Sequence, residues 1–597
     1  MTRLLVIVAA VLGLAVLVAS LAGFESAPPA VPEASRLAFE TRGETSESGG
    51  ALRYAVLDDC ITLNPQGTSS LTDFRVITCL FEGLMRVDAT DLSLQPGVAV
   101  GRPEVSDDGR TYTFTLRDEA RWSNGDPVTA GDFAFAWRRA ISPDFAAVYS
   151  GLFFVVDGAE AAYRWRETQL EQFDPTVQSA EDAWAAWQTR LDETVGIEAP
   201  DDRTLVVRLK SPAAYFLSLT AFGTLMPNHR ATVEPLITFD ASTGRANFDG
   251  TYFTDADRLI SNGLYTLTSW TLRRELVMDV NPYASQIERM RTPRVVQTVI
   301  EGNDQLRCVQ YRYGQFDWVP SIEPNLALRF REAGWDDTVS VPRAGLEYYA
   351  FNVRDTVGGE PNPLADVRVR RALAMAIDKQ SLVDNVTRLG EPVARSFVPV
   401  GVVPGYDPPV EADLGYDPEA ARALLAEAGY PGGQGFPTLR LLYNTNTSRE
   451  RVAVRIANQW RENLHIPVAA ENYEWRTYLD RRRKGEFHVA RSGWYGDYQD
   501  PTTWLDLLRG SDPNNATGYD DATYDGLLRE AAEELDPVQR FALLREAESK
   551  LLTDQVIVPL YQALSVDLVA DAVRDLHQNA WNNMNLDAAV VVPVEMR

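Results

Sequence analysis

The sequence predicts an α/β chain of several domains, and three observations carry that prediction. At 597 residues it is too long for one hydrophobic core, and the length alone points to two to four domains. From about Leu346 onward, short strands alternate with helices of roughly 10–17 residues, the rhythm of a largely parallel sheet covered on both faces. Earlier, the alternating runs Thr111–Leu116 (TYTFTL) and Thr204–Leu209 (TLVVRL) mark a β-rich region interrupted by helices.

In chain order, residues 4–22 form one uncharged apolar run behind Arg3, followed by a Pro-, Ala-, Ser- and Glu-rich linker to Gly50. Ser20-Leu21-Ala22 supplies the small residues a signal peptidase needs, which favours a cleaved signal over residues 1–23. The run also suffices for an uncleaved membrane anchor, and either fate puts the body outside the cytoplasm. No cysteine follows it, which excludes a lipoprotein anchor. Leu52–Leu57 then reads as a strand and Thr72–Gly83 as a short helix. In NGDPVTAGDF, Asn124–Pro127 is a turn, and Thr129 before Asp132 is an N-cap opening an amphipathic helix over Asp132–Ala140. A further helix spans Ala180–Thr194. The second section contains helices at Asp366–Ala376, Pro418–Ala428 and Ser448–Leu464, with strands at Thr438–Tyr443 and Pro467–Glu471.

Composition narrows the function classes. An apolar fraction of 45% with 13 Trp excludes general disorder, and a net charge of −27 argues against nucleic acid or an anionic membrane surface as partner. Only Cys60, Cys79 and Cys308 are present, too few for a disulfide scaffold. Buried free thiols are expected, with a Cys60–Cys79 bridge as the alternative.

The segment Glu474–Trp504, EWRTYLDRRRKGEFHVARSGWYGDYQDPTTW, concentrates chemistry. Phe487–Arg491 reads as a strand, ending in a Gly- and Asp-rich turn, Gly493–Tyr498, where a pocket can begin. Aromatic faces, fixed cations and the carboxylate of Asp497 delivered together suit a zwitterionic, partly apolar ligand. This stretch resembles the periplasmic oligopeptide-binding proteins that feed ABC importers (extracellular solute-binding protein family 5). So do RWSNGDPVTAGDFAFAWRRAISP (Arg121–Pro143), SNGLYTLTSW (Ser261–Trp270) and YYAFNVRDTVGGEPNPLADVRVRRALAMAIDK (Tyr348–Lys379). The resemblance runs from about Ala51 to the C-terminus.

It implies a two-lobed periplasmic-binding-protein fold with discontinuous lobes. One lobe would take residues 51–84, 210–343 and 567–597, with an inserted domain at 85–209; the other would take 344–566. Two chain passes between lobes make a hinge that closes on a ligand. The resemblance also implies roles. Asp497 would hold a ligand α-ammonium. Arg491 and Arg482 would meet C-terminal carboxylates of ligands of different lengths, and Arg449 replaces a histidine used for longer peptides. Trp475 and Trp494 would form permissive side-chain pockets, Tyr149 and Tyr348 would line the cleft, and Gly493 belongs to the same turn. Ser69 stands where some relatives place a glutamate for basic side chains. Tyr495 and Gly345 stand where some carry a disulfide.

An enzyme is not expected. His229, His465, His488 and His577 show no metal-ligand spacing, and no GxSxG, Walker or strand-linked GxGxxG motif occurs. We therefore expect a monomeric solute-binding protein without cofactor or metal, presenting short peptides to ABC permease subunits at the inner membrane. An oligosaccharide stacked on Trp475 and Trp494 is the alternative ligand, and a secreted glycoside hydrolase is the rival class.

Overall fold

The computed structural model describes residues 50–592 apart from 513 and 582–585, so the apolar segment 1–23 and nearly all of the linker lie outside it. Its centre is a ten-stranded sheet. One flank carries Tyr265–Thr271, Glu275–Val280, Arg294–Val299, Leu52–Val56 and Trp318–Val319. Two long strands, Ile557–Val569 and Thr338–Phe351, occupy the middle. Val489–Tyr495, Leu439–Asn444 and Val468–Tyr473 form the other flank.

The sheet is mixed, not largely parallel as the alternation suggested. Leu439–Asn444 is parallel to both its neighbours, because the helices Thr447–Leu464 and Trp475–Arg483 supply the crossovers that parallel pairing needs. The long strands have no such crossover. They pair antiparallel with each other, and Thr338–Phe351 pairs antiparallel with Val489–Tyr495.

Between Pro342 and Leu346 the long pair shifts register, leaving Arg343, Ala344 and Gly345 as a bulge. The bulge is used: the Ala344 N–H donates to the Ala580 carbonyl at 2.7 Å, and the Ala344 carbonyl accepts the Gly496 N–H at 2.8 Å. A second shift follows between Glu347 and Tyr348. Ladder irregularities thus fall where both long strands pass between separate cores.

One core packs Trp122, Trp137, Trp187 and Trp318 and is continuous with a four-stranded antiparallel sheet built on Thr111–Thr115 and Thr204–Arg208. A second sets Trp460 among Leu373, Leu439, Leu441 and Val489, and a third gathers Leu346, Tyr348, Trp504 and Leu544. The NGDPVTAGDF joint forms a reciprocal capping box, with the Thr129 N–H donating to Asp132 Oδ2 at 2.8 Å. Asp132 also accepts from Trp122 Nε1 at 3.2 Å and the Arg230 N–H at 2.9 Å, which makes the motif a structural clamp. All three cysteines are free and buried, and burial pushes the Cys60 and Cys308 thiols up to about 12.

Candidate functional site

The strand expected over Phe487–Arg491 lies at Val489–Tyr495. It runs on through Gly493 because Gly345–Phe351 offers a continuous partner edge, so the turn starts only at Gly496. A Cβ at Gly496 would come within 2.7 Å of the rings of Trp504 and Trp581, so only glycine lets the chain leave the sheet here.

The turn that follows is tied down from several sides. The Asp497 N–H donates to Thr503 Oγ1 at 2.9 Å, and Tyr498 stacks on Tyr215 with centroids 5.0 Å apart. Gln499 Nε2 donates to the Leu92 carbonyl at 2.8 Å. Beneath it, Arg540 grips the buried Asp500 through two bonds of 2.7 and 2.8 Å. None of these contacts uses the Asp497 carboxylate, which accepts no hydrogen bond among the described residues. It is half-buried, and burial pushes its pKa up to about 6. Tyr149 stands close enough for that charge to add to the burial that pushes its phenol up to about 12. The Tyr149 ring lies edge-on to Phe222 at 5.3 Å and near Phe74 at 6.5 Å, giving the carboxylate an aromatic wall.

The cationic end is built differently. Arg491 is 7% exposed and forks onto Glu347 of the neighbouring long strand, Nε to Oε2 at 2.8 Å and Nη2 to Oε1. Gly493 makes room for this pair: a Cβ there would sit 3.0 Å from both Arg491 Nη2 and Glu347 Oε1. The Tyr478 hydroxyl donates to the Arg491 carbonyl, and Trp475, 48% exposed, stacks on Tyr478 at 5.7 Å. Arg449, at the start of its helix, is half-buried within electrostatic reach of Arg491 and Glu347. Burial first, then Arg491, lowers its pKa. Its guanidinium has no hydrogen bond or ion pair among the described residues. Arg482 likewise has no ion pair there, and its buried Nε has no partner.

One expectation needs correction, that Tyr348 lines the cleft. Arg491 and Trp494, three positions apart on one strand, fall on opposite faces. Trp494 packs half-buried toward the third core. Tyr348 belongs to that core too, 3% exposed and edge-on to Phe397, because Leu346, Tyr348 and Ala350 share the inward face while Glu347 takes the other. Sequence reasoning missed Glu347, Arg540 and Tyr215. A lone acid inside GLEYYAF was a usable signal, since a charge in an apolar strand needs a partner.

The family model of the bacterial extracellular solute-binding proteins, family 5 (middle), matches residues 93–516. The chain belongs to that family. Over 514 residues it is 32% identical to the periplasmic murein peptide-binding protein MppA of Escherichia coli K12, covering 85% of this chain and 86% of that protein. This family 5 chain superposes on MppA in its unliganded open form with a TM-score of 0.76 at 29% identity, covering 91% and 98% of the two chains. On Haemophilus influenzae OppA in complex with the peptide RPPGFSPFR the TM-score is 0.63 at 27% identity, with 92% and 99% covered. The open form is the better match.

Proposed function

We propose that this protein captures short peptides between two closing lobes and hands them to an ABC permease. The carrying observation is the pairing of opposites in the cleft. Among the described residues Asp497 is a half-buried carboxylate without a hydrogen-bond partner, and Arg449 and Arg482 are guanidiniums without an ion pair. A zwitterionic chain supplies what each end lacks, an ammonium for the one and a carboxylate for the others. The peptide ligand named for the OppA complex supports the same reading.

The lobes would divide as residues 51–84, 210–343 and 567–597 with the inserted domain 85–209, against 344–566, and the bulged long strands would be the hinge. The protein would work as a monomer in the periplasm, directed there by its apolar N-terminal segment, with permease subunits as partners and no chemistry of its own. Asp500 does not suit a hydrolase acid, since Arg540 already holds both its oxygens.

Calorimetry with a peptide and its N-acetylated form tests the reading. Acetylation is expected to weaken binding at least about tenfold, or ~1.4 kcal/mol. Equal affinities would remove Asp497 from the site, and micromolar binding of a neutral oligosaccharide without any peptide binding would replace the ligand class.

A further inference from the structure

The helix Leu71–Leu80 turns Arg75 inward onto the rings of Trp318 and Tyr54, with its guanidinium 5.1 and 6.0 Å from their centroids. Arg75 is 6% exposed, yet its guanidinium makes no hydrogen bond or ion pair among the described residues. Its Nε is sealed off without an acceptor, and the terminal nitrogens, equally without one, stay open to solvent. Other buried arginines are not left this way: Arg166 holds Asp144, Arg540 holds Asp500, and Arg139 reaches the side-chain oxygens of Asn64, Gln66 and Asn228. Ring stacking, worth about 0.5–2 kcal/mol, does not replace the acceptors a desolvated guanidinium loses. Asp567, a carboxylate within electrostatic reach of the neighbouring Arg343, is already engaged, because Trp318 Nε1 and the Ser321 N–H each donate to it at 2.9 Å. Two chains of contact tie Arg75 to the Asp497 turn. Phe74, next to it on the helix, lies near the Tyr149 ring, whose phenol feels the Asp497 charge. Arg343, close enough for its charge and that of Arg75 to repel, precedes Ala344, whose carbonyl accepts the Gly496 N–H one residue before Asp497.

We propose that Arg75 is the floor of a further, anion-binding subsite that takes an acidic side chain from the first or second residue of the peptide. This rests on the peptide reading, with the ligand amine held at Asp497. A chain fixed there by its amine brings its first side chains, not its C-terminal carboxylate, to the surroundings of the Asp497 turn. A side-chain carboxylate gives Arg75 the acceptors it lacks, both oxygens accepting from the planar fork, and offsets the repulsion from Arg343. A neutral side chain leaves the cation unpaired, and a basic one adds a third positive charge beside it. The bond from Trp318 Nε1 to Asp567 fixes the ring on which the guanidinium lies, so the fork is held in place before the ligand arrives.

The test compares Ala-Ala-Ala, Glu-Ala-Ala, Gln-Ala-Ala, Ala-Glu-Ala and Ala-Gln-Ala by calorimetry on the wild type, Arg75→Met and Arg75→Lys. Glutamate and glutamine match in size, so the ratio of their affinities at one position reads charge. In the wild type, glutamate at the first or the second position should bind about tenfold more tightly than glutamine there. Arg75→Met should bring that ratio down to about one while leaving Ala-Ala-Ala within about twofold, since a methyl group does not reach for the guanidinium. Arg75→Lys keeps the charge without the fork and should keep part of the ratio. A merely structural arginine, once replaced, would shift all five peptides alike. A wild-type ratio under about twofold at both positions overturns the inference while the peptide reading stands, as does a ratio that survives Arg75→Met. If Arg75→Met fails to fold, the wild-type ratios and Arg75→Lys still decide it. If none of the five binds the wild type, the peptide reading fails and the inference falls with it.

Discussion

The two charged groupings proposed to meet the ligand, Asp497 on one side and Arg491, Arg449 and Arg482 on the other, are built in opposite ways. At the Asp497 end the carboxylate has no hydrogen-bond partner among the described residues and its backbone is held by Thr503, by the bulge at Ala344 and by the contacts of Tyr498 and Gln499. At the arginine end Arg491 is already paired with Glu347, while Arg449 and Arg482 make no ion pair among the described residues. On the proposed reading the lone anion takes the ligand's amine at one place, while more than one cation is open to its carboxylate, and each expected outcome below attacks one side of that contrast.

The largest effect is expected beneath the anionic end. Arg540→Ala would leave Asp500 buried and unpaired, which typically destabilises by about 3–5 kcal/mol. Denaturant unfolding should show that loss, and binding should fall with it, since the Asp497 turn rests on Asp500. A stability change under about 1 kcal/mol would mean the turn does not depend on this pair. Next comes Asp497→Ala, expected to lower affinity for free-amine peptides by about 2–5 kcal/mol while leaving N-acetylated peptides nearly unaffected. Equal losses for both ligands would show that the carboxylate does not read the amine.

How much of this was readable beforehand depends on the range of the interaction. The helix Ala180–Thr194 has the bounds its periodicity predicts, and the Thr129 cap is where its residues place it, because caps and amphipathic faces are local. The strand at Phe487–Arg491 was placed too early, because its true end is decided by the partner edge Gly345–Phe351. Glu347 and Arg491 are 144 positions apart, and only the register of two antiparallel strands brings them together. The family resemblance marks Asp497 as a candidate, but its lack of a hydrogen-bond partner among the described residues is not legible there, since that depends on where every neighbour's donors go.

A smaller effect separates the ends by pH. Burial raises the Asp497 pKa to about 6 in the free protein, and a bound ammonium favours the ionised form. The complex therefore holds fewer protons than the free protein, so affinity is full above about pH 7 and declines as pH falls through 6, approaching tenfold per unit. The arginines keep their charge throughout, so the decline belongs to the amine end alone. Calorimetry in buffers of different ionisation enthalpy should detect proton release near pH 6, and N-acetylated peptides should show none. A pH-independent affinity between 5 and 7 would place the ammonium elsewhere.

The smallest effect concerns the exposed aromatic at the cationic end. Trp475 stacks on Tyr478, whose hydroxyl holds the Arg491 carbonyl, yet nearly half its surface faces solvent. Replacing it with alanine removes one face of a stacked pair, worth about 0.5–1.5 kcal/mol beyond its buried area. For a peptide held by its termini, Trp475→Ala should cost no more than that, and only for ligands with an apolar side chain at the matching position. A saccharide has no charged ends, so most of its binding would come from such stacking. The variant would then lose nearly all affinity for it. Parallel titrations with alanine and phenylalanine peptides and a neutral oligosaccharide distinguish the two. A uniform loss for all peptides would instead show that Trp475 acts through Tyr478 on the strand that carries Arg491, making the arginine end as rigid as the aspartate end and undoing the asymmetry.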